Sequence, residues 1–93
     1  MAHLLLVEDD AAIRTSLVRA LREHGHVVSA VGSGLPALSA AVEQKPDVVL
    51  LDLGLPDIDG ADVLSMLRAV SEIPVIVATA RDDETEIDRK SVV

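Results

Sequence analysis

Apolar positions along the chain follow two alternating rhythms. Unbroken runs, Leu4-Leu5-Leu6-Val7 and Val48-Val49-Leu50-Leu51, are apolar at consecutive positions, the mark of a strand covered on both faces. Between them, apolar residues return every third or fourth position, as on one side of a helix. The pattern predicts strands over 3–7, 26–31, 47–51 and 73–78, helices over 10–24, 35–44 and 60–70, and the start of one more helix from residue 83. Local signals mark the ends. Asp10 stands where an N-cap belongs, ahead of Ile13, Leu17 and Leu21, and Gly25 terminates that helix. The second helix opens near Pro36 and stops before Lys45-Pro46. The third offers Val63, Leu64, Met66 and Leu67 to a core and ends before Pro74.

Strands and helices in alternation, joined by right-handed crossovers, give a doubly wound parallel α/β sheet between helical layers, a three-layer α/β/α arrangement of the flavodoxin type. In such folds the ligand site lies beyond the carboxyl ends of the strands. That rule brings together Glu8, Asp9, Asp10, Asp52 and Thr79, each of which follows or closes a predicted strand. No repeat, linker or low-complexity stretch divides residues 1–93, which read as one domain.

Composition narrows the chemistry. There is no Cys, so neither a disulfide nor a thiolate metal site is available. With no Phe, Tyr or Trp there is no platform on which bases could stack, and a formal net charge of −8 opposes phosphate backbones, so direct nucleic-acid binding by this chain is not expected. The start, Met1-Ala2-His3, lacks the basic and long apolar stretches of a secretory signal, and no apolar run approaches the ~20 residues that span a bilayer. A cytoplasmic protein without membrane contact is the expectation.

Carboxylates delivered by two strands to one sheet edge repel one another unless a cation sits among them, and a hard, oxygen-seeking ion such as Mg²⁺ fits that need. Glu8 and Asp9 taken alone could equally be solvated acids favoured by a helix N-terminus. Asp10 reads as a helix cap, and Asp57 and Asp59 as residues that shape a turn and cap the third helix. Gly32-Ser33-Gly34 lacks the Gly-Lys-Ser/Thr of a phosphate loop and reads as a mobile turn. Residues 57–60 suggest a calcium loop, but counting back from Gly60 puts Leu55 where its first ligand must be. His24 and His26 flank Gly25 as surface residues of a helix-to-strand turn.

The acidic cluster, the strand-end Asp52, the spacing Asp52-Leu53-Gly54-Leu55-Pro56, the Asp59-Gly60 turn and Thr79-Ala80 after the fourth strand together resemble the receiver domain of bacterial two-component response regulators of the OmpR-like type, from about residue 4 to about residue 88. The resemblance implies that Asp52 is the phosphoacceptor for a phosphohistidine on a sensor histidine kinase. It further implies Mg²⁺ held by Asp9 and Asp52 directly, by Glu8 through water, and by the backbone carbonyl of Gly54. Thr79 would hydrogen-bond the phosphoryl group, and the small Ala80 would leave it room. Phosphoryl transfer rests on positioning and charge neutralisation, which a metal beside an attacking carboxylate provides.

A receiver continues through a fifth parallel strand ending in Lys-Pro and a closing helix, whereas this chain ends Arg89-Lys90-Ser91-Val92-Val93. Lys45-Pro46 precedes the third strand, at the opposite end of the sheet. The expectation is a receiver reduced to about four strands, slow in phosphoryl transfer, with an open fourth strand through which copies pair as a homo-oligomer. Any DNA-binding output would belong to a longer parent or a partner. The competing expectation is an interaction or oligomerisation module that accepts no phosphate. Neither makes the chain an enzyme beyond metal-assisted phosphorylation and dephosphorylation of itself. A haloacid-dehalogenase-like phosphatase needs a second Asp two residues after the first, where this chain has Gly54.

Overall fold

A computed structural model describes residues 2–52, 55–78 and 85–87, with Ala78 and 85–87 described by their backbone. The elements run β1 (His3–Val7), α1 (Ala11–Glu23), β2 (Val27–Val31), α2 (Gly34–Gln44), β3 (Val48–Asp52), α3 (Gly60–Val70), β4 (Val75–Ala78) and β5 (Thr85–Ile87). Each helix begins and ends for a local reason. The Asp10 carboxylate accepts from the Ile13 N–H at 3.0 Å, satisfying a donor that the first turn leaves without a partner. Past the end of α1, Gly25 takes φ 88°, a left-handed turn that side chains with a Cβ resist. The Asp59 carboxylate caps α3 through the Ala61 N–H at 2.9 Å.

The sheet order is β2-β1-β3-β4-β5. β1 pairs in parallel with β2 and β3, and β3 with β4, giving the parallel four-stranded frame that strand-helix alternation predicts. Two expectations fail beyond it. Residues 85–87 form a strand rather than part of a helix, and they run antiparallel to β4, with Val77 opposite Glu86. β4 is therefore not an open edge, because its outward N–H and C=O groups meet the segment that follows it. Pairing of copies through that edge loses its physical cause.

Side-chain alternation divides the sheet into unequal faces. Leu5, Val7, Val49, Leu51, Val75 and Val77 pack with Ala37, Ala40 and Ala41 of α2 and Val63 and Leu67 of α3. The intervening residues Leu6, Leu50 and Ile76 face Leu17 of α1 across a cavity of about 200 Å³. Consecutive apolar residues predict equal cover on both sides. Instead α1 has no fully buried residue, and Ile13 and Leu17 are 45% and 39% exposed. Met66, assigned to the core by spacing, is also exposed, since α3 turns Val63 and Leu67 inward. Among the described residues no helix is long and apolar enough to cross a membrane.

Gly34 opens α2 in a close fit, not in the mobile turn its sequence suggests. A Cβ built there would lie 2.7 Å from Val63 Cγ2 and 3.1 Å from Ile58 Cγ1. Val63 is fully buried and cannot yield. Gly34→Ala is expected to destabilise the domain by about 1–3 kcal/mol, the cost of overpacking, measured by urea unfolding. An unchanged midpoint would show that α2 can move away from α3.

Candidate functional site

Register carries the acids to one place. Val7 pairs with Leu51, so Glu8 and Asp52, the residues that follow, stand level at the carboxyl edge of adjacent strands. Asp9 begins the turn into α1. Carboxylate oxygens of Glu8, Asp9 and Asp52 lie within 4.8 Å of one another. Asp52 also stands opposite Ala78 in the β3–β4 register. Thr79 and Gly54, the remaining predicted site residues, lie outside the described residues, as does Ala80.

The loop bearing Glu8 and Asp9 is held from both sides. The Glu8 N–H donates to the Val31 carbonyl at 3.0 Å, prolonging the β1–β2 ladder by one residue. Arg14 Nη1 donates to the Glu8 carbonyl at 2.8 Å and, more distantly, to that of Asp9 at 3.4 Å. The Asp10 N–H donates to a Glu8 carboxylate oxygen at 3.2 Å, while the Asp10 carboxylate is engaged as the α1 cap. Nothing in the sequence singles out Arg14 for this task. Its contacts are with backbone carbonyls, for which no residue pattern gives a signal.

Crowding has an electrostatic consequence. Glu8 is pushed up to about 7, chiefly by burial and then by the Asp52 charge and hydrogen bonding with Asp52 and Asp9, against the opposing Asp10 N–H. An acid raised in the folded state holds a proton that the unfolded chain has lost, so stability falls as pH rises from its ordinary value of 4.5 to about 7. Solvent screening limits the effect to about 1 kcal/mol. Unfolding free energies measured across this window should decline in the parent chain but not in Glu8→Gln. Equal slopes would show that Glu8 is not raised in the folded chain.

A second carboxylate performs an unexpected task. Asp57, in the loop between β3 and α3, accepts from the N–H groups of Gly34 at 2.7 Å and Leu35 at 3.0 Å, and from its own neighbour Ile58 at 2.9 Å. These bonds hold its carboxyl below the usual carboxylate range. Ser33, the local N-cap of α2, makes no side-chain capping bond. Asp57 caps α2 from a distance and so pins the loop that follows Asp52. Of the two acids assigned to α3, only Asp59 serves it.

Three carboxylates on two parallel strands, at the edge where doubly wound folds bind ligands, are a donor set for a small oxygen-seeking cation. The chain is similar to known proteins over most of its length. The chain is 44% identical over 87 residues to the transcriptional regulatory protein AfsQ1 of Streptomyces coelicolor, a match covering 94% of this chain and 39% of that protein. It is 42% identical over 85 residues to the DNA-binding response regulator MtrA of Mycolicibacterium paratuberculosis, covering 91% of this chain and 38% of that one. The chain thus spans about two-fifths of the length of these curated relatives. The BeF3-activated N-terminal receiver domain of Klebsiella pneumoniae RstA superposes with a TM-score of 0.83 at 32% identity, over 88% of this chain and 70% of that one. The family pattern of the response regulator receiver domain covers residues 4–91. The strand order, the acids at its carboxyl edge and this match across nearly the whole chain make it a member of the response regulator receiver domain family.

Proposed function

We propose that Asp52 accepts a phosphoryl group from a phosphohistidine on a sensor histidine kinase, within a cytoplasmic two-component pathway. The observation that carries this reading is the meeting of Glu8, Asp9 and Asp52 oxygens within 4.8 Å. Their number and hardness fit Mg²⁺. Asp9 and Asp52 would hold it directly and Glu8 through water, with the Gly54 carbonyl as a further ligand. When bound, Mg²⁺ supplies the positive charge that lets an anionic phosphoryl group approach a carboxylate.

The protein's own groups do the positioning. Asp52 closes a strand paired on both sides, so its carboxylate has a fixed origin for in-line attack. Arg14 holds the loop that carries the other two acids, and Asp57 anchors the loop beyond Asp52. Thr79, next after the Asp52 register partner Ala78, would donate its hydroxyl to a phosphoryl oxygen. The lysine whose charge the receiver pattern places beside that group has no matching position in these 93 residues. Output to DNA, which the name of MtrA states for that protein, would require residues other than these.

The alternative is an interaction module that takes no phosphate. One experiment separates the two: incubation of the chain with Mg²⁺ and acetyl phosphate, followed by intact mass. A single phosphate adduct that depends on Mg²⁺ supports the phosphoacceptor. Its absence over long incubation, with the chain folded, supports the module.

A further inference from the structure

The chain is strongly acidic, yet three of its eight lysines and arginines line a single groove. Arg14, Thr15, Val18, Arg19 and Arg22 of α1 and Ala30 of β2 enclose about 400 Å³. The helical members recur at spacings of three and four, hence on one side of α1, and Arg14 to Arg22 cover about 12 Å at the usual rise. Among the described residues no acid lines this groove.

The guanidinium groups are steered without being neutralised. Arg14 Nη1 donates to the Glu8 carbonyl at 2.8 Å and to the Asp9 carbonyl at 3.4 Å, and Arg22 Nη2 donates to the Val28 carbonyl at 3.1 Å. Gly32 leaves Arg14 its seat, since a Cβ there would lie 3.1 Å from Arg14 Nη1. Among the described residues Arg19 makes no hydrogen bond, and none of the three meets a carboxylate. A guanidinium has several N–H donors, and a neutral carbonyl occupies one without cancelling the charge. Donors and charge are both left for an anion.

The lining defines the kind of anion. Planar arginine forks match phosphate oxygens through paired hydrogen bonds. Arg14 is anchored at the Glu8 end of the helix, so one phosphate meets only near neighbours such as Arg19 and Arg22, whereas linked phosphates meet all three. Val18 and Ala30 add an apolar floor and Thr15 a hydroxyl. The enclosed space falls within the range of about 300–1,000 Å³ typical of small-molecule sites. A nucleic-acid strand is disfavoured, because it would run past the groove onto a molecule of net charge −8.

We infer that the groove between α1 and β2 binds a small molecule carrying linked phosphates, gripped by Arg14, Arg19 and Arg22. The site is separate from the three carboxylates, and its occupation does not rest on Asp52 accepting a phosphoryl group.

Calorimetric titration of the metal-free 93-residue chain with inorganic triphosphate and with ATP tests this, with amide NMR shifts to locate the contact. We expect a Kd on the order of 1 mM or tighter, weakened at about 0.5 M salt, with shifts centred on α1 and β2. Arg19→Ala should weaken binding about fivefold or more, and Arg19→Lys, which keeps the charge but not the fork, should fall between. Arg19 is exposed and without a hydrogen bond among the described residues, so its replacement should leave the circular dichroism unchanged. Lys45→Ala removes an equal charge outside the groove and should bind like the parent. Tighter binding of ATP than of triphosphate would assign the nucleoside to the Val18–Ala30 floor, and equal binding would assign the phosphates alone; both support the site. No binding of either probe at about 10 mM would overturn it, as would equal losses in Arg19→Ala and Lys45→Ala. So would a short glutamate peptide that binds as tightly as triphosphate, which would make the groove a contact for an acidic protein segment.

Discussion

Asp52→Asn should leave no phosphate adduct after treatment with Mg²⁺ and acetyl phosphate, while the parent chain acquires one. A carboxamide of the same shape keeps the packing at the end of β3 but lacks the anionic oxygen that attacks phosphorus. Removing a charge from a crowded cluster should not weaken the fold, and the metal-free variant should unfold at equal or higher urea. Asp9→Asn tests the cation's part. It retains the nucleophile and removes one hard ligand, so adduct formation should slow by roughly 10²-fold and stabilisation by Mg²⁺ should vanish. An adduct persisting in Asp52→Asn would move the acceptor to another acid and defeat the assignment. Mg²⁺ stabilisation persisting in Asp9→Asn would mean that the ion sits elsewhere.

Leu5→Ala is expected to cost about 3 kcal/mol, and Leu17→Ala less than about 1 kcal/mol, although spacing alone assigns both to the core. Leu5 is fully buried in β1 against α2 and α3, and its removal leaves a cavity that two helices and three strands cannot easily close. Leu17 is 39% exposed on the rim of the cavity beside α1. A domain of this size has total stability on the order of 5–14 kcal/mol, so the first variant loses a large share of it. Urea midpoints read the contrast directly. Equal losses would show that the α1 face is as tightly packed in solution as the α2–α3 face.

Much of this molecule was decided by short-range pattern. Consecutive apolar residues specify buried strands, and the alternation with helical stretches specifies a parallel sheet, because parallel strands need crossovers of that length. Asp10 before Ala11-Ala12-Ile13 and Asp59 before Gly60 were legible as caps because an N-cap reaches only two or three residues along its own chain. Glu8, Asp9 and Asp52 were legible as a group because strand-end residues of neighbouring parallel strands arrive at the same edge.

What tertiary structure decided were contacts between segments remote in sequence. Asp57 caps α2 instead of α3 because the fold carries its loop to within 2.7 Å of the Gly34 N–H, a separation that no local spacing encodes. Gly34 is restricted by Val63, a residue of another helix, and not by a turn of its own. Thr85–Ile87 became a strand because the outward groups of β4 offered hydrogen bonds there, which local helical preference could not supply. Leu17 and Ile13 have the spacing of core residues, but spacing reports only which side of a helix is apolar. Whether that side is covered depends on what the sheet places opposite it, and here most of the tight packing lies on the α2–α3 face.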